Sequence, residues 1–123
     1  MPIADKDSTK IVRSNALISQ VVTGNASNTD GSSTACIAAQ GSGVYTVLQM
    51  VIMTNTSATA GYVEIKDGTT VKLTIPLPAN GGAVVAIPGP GIVGTANTAW
   101  NFDPGAALTT VYCTMVGYAT ETP

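Results

Sequence analysis

No window of this chain carries apolar residues at helical spacing. What recurs is short runs of β-branched and aromatic residues, each bounded by Gly, Pro, Asn or Asp. That punctuation is the strongest constraint on the fold, because such runs bury their apolar sides only by pairing into sheets. It predicts strands over residues 16–23, 34–39, 44–54, 62–66, 70–75, 83–87, 96–102 and 108–118. Roughly eight strands at similar spacing fit an all-β fold, a two-sheet antiparallel sandwich wound as a jelly roll. The first fifteen residues lack any pattern and read as an extended N-terminal arm, leaving 16–123 as one domain. A chain of 123 residues has room for a single core that stands without staples.

Two segments predict more than their existence. Residues 44–54 are apolar on both faces and belong in the middle of a sheet. In 62–75, Val63 and Ile65 alternate with Tyr62, Glu64 and Lys66, while Val71, Leu73 and Ile75 alternate with Lys72 and Thr74. A two-residue turn at Asp67-Gly68 would set Val63 opposite Lys72, mixing core and solvent faces. A three-residue loop, Lys66-Asp67-Gly68, with Gly68 left-handed in a bulge, sets Val63 opposite Val71 and Tyr62 opposite Lys72. The bulged hairpin is therefore expected. Gly24 to Gly31 reads as a polar turn, Pro76 and Pro78 as a strand end, and Asp103-Pro104-Gly105 as another turn.

Charge is sparse: five basic and seven acidic side chains, for a net charge of −2. Asp5, Lys6, Asp7, Lys10 and Arg13 crowd the arm; between Arg13 and Glu64 only Asp30 is charged, and between Lys72 and Glu121 only Asp103. Soluble domains ordinarily devote about a quarter of their residues to charge. A body covered by Thr, Ser, Asn, Gly and Ala points to surface that meets other protein, the plainer reading being a Thr/Ser-rich monomer. Without clustered Lys or Arg, no nucleic-acid partner is expected. Val47 to Met53, the longest apolar run, is broken by Gln49, so no membrane partner is expected either. The polar opening segment predicts a protein made in a cytoplasm.

Chemistry is hard to find. The chain has no histidine, which removes the common general base and metal ligand. Glu64 falls on an outward strand position, and Asp67 and Asp103 fall in turn motifs, so no catalytic carboxylate pair is expected. Asn28-Thr-Asp-Gly-Ser32 has half the pattern of a calcium loop without its later acids, and reads as a turn. Gly41-Ser-Gly43 lacks the lysine and helix of a phosphate loop. No catalytic, cofactor-binding or metal residue is assigned, and no cofactor is expected. Cys36 and Cys113 are too distant in sequence for a metal or redox motif and read as two buried free thiols, a long-loop disulfide being the alternative.

Partner-binding residues are expected in two places. Lys10, Ile11, Val12 and Arg13 place β-branched residues between basic ones, as suits a strand added to a neighbour's sheet edge. Trp100 and Phe102 alternate with Ala99 and Asn101 along a strand, on a face that is core or subunit contact. Trp100, Tyr62 and Tyr112 could otherwise form an aromatic platform for sugars.

The stretches TNTSATA (54–60), IKDGTTV (65–71), IPLPANGG (75–82), GTANTAWNF (94–102) and TTVY (109–112) resemble small virion proteins of tailed bacteriophages, some of them head-decoration (cement) proteins. The resemblance covers residues 44–118 and leaves 1–43 outside. It implies a compact β-domain, commonly a trimer, bound to the major capsid protein on the outer shell of the virion. There it would bridge capsomers against the pressure of packaged DNA. A tail, baseplate or fibre component that binds a receptor or glycan is the alternative within the virion, and a small hydrolase or lectin the alternative outside it.

Overall fold

The computed structural model describes residues 19–105 and 108–123. In chain order the strands are β1 (Ser19–Asn28), β2 (Thr34–Ile37), β3 (Tyr45–Asn55), β4 (Gly61–Asp67), β5 (Thr70–Leu77), β6 (Gly82–Ala86), β7 (Ile92–Val93), β8 (Trp100–Pro104) and β9 (Val111–Thr120). Sheet I has the spatial order β1-β9-β3-β6, with β7 beside β6 on the same edge of β3; sheet II has the order β2-β8-β4-β5. Every pairing is antiparallel. Only β4–β5 and β6–β7 follow one another within a sheet; every other connection crosses the sandwich. This is the two-sheet winding of a jelly roll. The expected all-β sandwich is therefore observed, with nine strands among the described residues.

Each sheet turns alternate residues inward. Val51, Met53, Val111, Cys113 and Met115 from sheet I meet Ile37, Val63, Ile65, Ile75, Leu77, Trp100 and Phe102 from sheet II, all buried. As expected, β3 is central in its sheet, with β9 on one side and β6 and β7 on the other. Thr46, Val47 and Leu48 in succession are buried, so its apolar character on both faces has a use. Val47 points outward, and the 88–94 loop comes over it, Gly91 closely enough that a Cβ would stand 3.0 Å from Val47 Cγ1.

Several expected boundaries move, each for a packing reason. The first strand runs on through Gly24, Asn25, Ala26 and Ser27 to Asn28, where a turn was expected. β9 offers β1 an unbroken ten-residue ladder from Ser19–Thr120 to Asn28–Val111, which outweighs local turn preference. Gly24 is needed within that ladder: a Cβ there would lie 1.7 Å from the Cys36 carbonyl oxygen, so only glycine lets β1 close over β2. Residues 16–18 of the expected strand lie outside the described residues. β5 passes through Pro76 to Leu77, tolerated because β5 is an edge strand. β8 begins at Trp100 rather than residue 96, since 96–99 turn around a left-handed Asn97 (φ 51). It then continues to Pro104, beyond the last residue paired with β2, so the missing N–H breaks no ladder on that side.

The β4–β5 hairpin corrects the expected register. Val63 stands opposite Ile75, not Val71, and Tyr62 opposite Pro76, not Lys72. Asp67 pairs with Thr70, so the turn is Gly68-Thr69; Gly68 is left-handed (φ 62), as expected. The bulge falls on β5 at Lys72, between the partners of Ile65 and Lys66. Asp67 explains the shift. Its buried carboxylate accepts the Thr95 N–H on both oxygens (3.0 Å each) and the Thr95 hydroxyl (2.7 Å), fixing Asp67 in the ladder and pushing the turn one residue onward. The bulge restores apolar partners for Val63 and Ile65, but turns Val71 outward opposite Lys66.

Candidate interaction face

The two sheets present opposite chemistry to their surroundings. Cross-strand partners share a face, so the ladders give the rows of sheet I directly. One outward row is Asn25, Thr114, Ile52 and Val84; another is Val21, Tyr118, Val47 and Val93. Between and beside them lie Thr23, Val116, Met50, Ala86, Ser27, Tyr112, Thr54 and Gly82. None of these is charged, and the strands of sheet I hold no charged residue in any position. The outer face of sheet II carries Glu64, Lys66, Lys72 and Asp103.

Apolar exposure divides the same way. Of the seven large hydrophobic residues left exposed among the described residues, five lie on sheet I: Val21, Ile52, Val84, Val93 and Tyr112. Val21 is 72% exposed and Val84 67%, so these are β-branched side chains that no other described residue covers. On sheet II the exposed pair is Tyr62 and Val71. With ten or eleven residues in each of β1, β3 and β9, and β6 beside them, strand spacing and rise give sheet I a face of about 600 Å² before corrugation. Standard interfaces bury about 800 Å² per partner. At the β1 edge the face dips into a shallow open groove of about 230 Å³, lined by Asn25, Ala26, Ser27 and Tyr112.

On sheet II the charges neutralise one another. Lys66 Nζ donates to Asp103 Oδ2 at 2.6 Å and stands 3.9 Å from Glu64 Oε1. The Asp103 carboxylate, with a smaller contribution from Glu64, raises the Lys66 ammonium above its ordinary range, so the amine is held protonated. A protonated lysine cannot act as a nucleophile, and the trio works as an ion-pair cluster on a solvent face.

The residues singled out from sequence scatter. Trp100, expected in the core or at a subunit contact, is fully buried in the core, and its indole N–H donates to the Thr46 carbonyl at 3.0 Å. It has no surface to offer a partner. Tyr62 and Tyr112 are exposed on opposite sheets, so the three aromatics form no platform. Lys10, Ile11, Val12 and Arg13 lie outside the described residues. Asp67 is a strand residue pinning the 94–98 loop, and Asp103 a strand residue facing outward, where turn roles were expected.

The calcium-like segment closes on itself. Asn28 Oδ1 accepts the Asp30 and Gly31 N–H groups, and Asp30 Oδ1 accepts the N–H and hydroxyl of Ser32. The Ser32 contacts hold the Asp30 carboxyl below its usual range. Among the described residues no three His, Cys, Asp or Glu side chains converge as a metal site. Cys36 and Cys113 are buried free thiols, the Cys36 thiol donating to the Cys113 carbonyl at 3.5 Å.

A scan against protein-family models finds no match, and a search of curated proteins finds no relative of this chain.

Proposed function

We propose that this protein is a structural subunit of a tailed-phage virion, a head-decoration (cement) protein that assembles with copies of itself and binds the major capsid protein on the outer shell. The observation that carries the assembly part is the uncharged outer face of sheet I. A face without charge meets a second copy with no like-charge repulsion, and burying Val21, Ile52, Val84 and Val93 contributes hydrophobic free energy. Its area is of the order that a specific interface needs. The opposite face, with its ion pairs already satisfied, suits solvent. The resemblance of residues 44–118 to phage virion proteins supplies the capsid as the larger assembly.

The test of the capsid part is location. Purified protein is mixed with expanded, DNA-free heads and with tails of a tailed phage that encodes it, and each is sedimented. Saturable co-sedimentation with heads and not tails is expected. Binding to tails alone overturns the decoration role in favour of a baseplate or fibre component, and binding to neither overturns the virion reading.

A further inference from the structure

The two cysteines occupy a more specific place than two small hydrophobes require. Cys36 lies at the register shift between Ala35 and Ile37, where β2 bulges against β8, and it points inward from sheet II. Cys113 points inward from β9 of sheet I, where it pairs with Ala26. The sheets approach closely at this corner because the inward residues of β1 are small. Gly24 leaves room for the Cys36 carbonyl, and Ala26 flanks Cys113. The Cys36 thiol reaches the Cys113 carbonyl oxygen at 3.5 Å.

We infer that Cys36 and Cys113 are a built cross-linking site, which a small peroxide converts to a disulfide joining the two sheets. This does not rest on the proposed function. The site has an asymmetry that orders the steps. Cys36 is 9% exposed, at the rim of the core, and Cys113 is fully buried. A thiolate at Cys36 accepts the Cys113 S–H, and that hydrogen bond, reinforced by burial, pushes the Cys113 thiol up. Cys36 is therefore the thiol that ionises and meets the oxidant first.

Its thiolate attacks one oxygen of hydrogen peroxide. The O–O bond breaks, and hydroxide leaves and takes up the thiol proton as water. The sulfur of Cys113 then attacks the Cys36 sulfenic sulfur, the S–O bond breaks, and the Cys113 proton leaves with that hydroxyl as a second water. Two thiols lose two electrons and one peroxide becomes two waters. Closing the bond requires the sulfurs to approach within about 2.05 Å. β2 can supply that movement: it has four residues, sits at the edge of sheet II, and is already bulged at Cys36.

The experiment is peroxide treatment of the folded full-length protein, followed by quenching, denaturation and alkylation. The expected result is loss of both alkylatable thiols, a chain lighter by two hydrogens, and a Cys36–Cys113 linked peptide in a non-reducing digest. Dithiothreitol should restore both thiols. The oxidised form should melt higher, by about 10 °C, because the link closes a long loop. Two thiols that remain alkylatable overturn the inference. So does Cys36 oxidised to the sulfinic acid beside a free Cys113, or a disulfide found between chains.

Discussion

The two outer faces of this sandwich are built on the same strand alternation, yet one carries charge and the other none. Sheet II presents Glu64, Lys66, Lys72 and Asp103, with Lys66 bridging its two acidic neighbours. Sheet I presents Val21, Ile52, Val84, Val93 and Tyr112 among threonines and small residues. Both sheets contribute large apolar residues to the same core, so core formation does not account for the difference. Solvent exposure does not favour it either, since mixed charge is what keeps a β-face apart from its copies. The difference is accounted for if sheet II faces water and sheet I faces protein.

Four experiments test the division between the two sheets. The largest effect belongs to neither face. Trp100→Ala removes a fully buried indole and should cost about 3–5 kcal/mol of stability, read by denaturant unfolding. If it weakened assembly while leaving the unfolding midpoint unchanged, Trp100 would be an interface anchor after all.

Next come the faces themselves. Val21→Lys, Ile52→Lys and Val84→Lys together should weaken self-association at least a hundredfold, about 2.8 kcal/mol, with the circular dichroism of the β-fold unchanged. The matching triple on sheet II, Tyr62→Lys, Val71→Lys and Thr74→Lys, should leave association unaltered. Equal loss from both triples would erase the distinction between the sheets.

A smaller effect tests the joint between loop and sheet. Asp67→Ala strands the Thr95 N–H and hydroxyl, which should cost about 1–3 kcal/mol of stability without changing the mass of the assembly. The smallest belongs to Lys66. Its folded pKa is raised above the ordinary lysine value of 10.5, so its ion pairs stabilise the protein below that pH and are lost as pH rises through the folded value. A slight fall in melting temperature above pH 10.5, smaller in Lys66→Met, is expected.

Fold class was legible because turn residues punctuate the chain and strand alternation survives in almost every element. What could not be read was register, wherever a long-range contact decided it. Nothing near Gly24 says that the Cys36 carbonyl will sit over it. Nothing near Asp67 says that Thr95 will hold its carboxylate and displace the turn. The interaction face was half legible. Scarcity of charge could be seen along the chain, but its segregation could not, because sheet I collects β1, β3, β6, β7 and β9 from across the sequence. Only the strand order shows that every charged strand residue falls in the other sheet. Trp100 was ambiguous for a related reason: alternation gives a residue's face, and the topology decides which face is the core.

The most direct test of the central claim is native mass by light scattering on a sizing column, across a hundredfold dilution, for the wild type beside the sheet I lysine triple. If sheet I is the contact face, the wild type is an oligomer that persists on dilution and the variant a folded monomer. A wild type that is monomeric at every concentration, or a variant that keeps the same oligomeric mass, would contradict it.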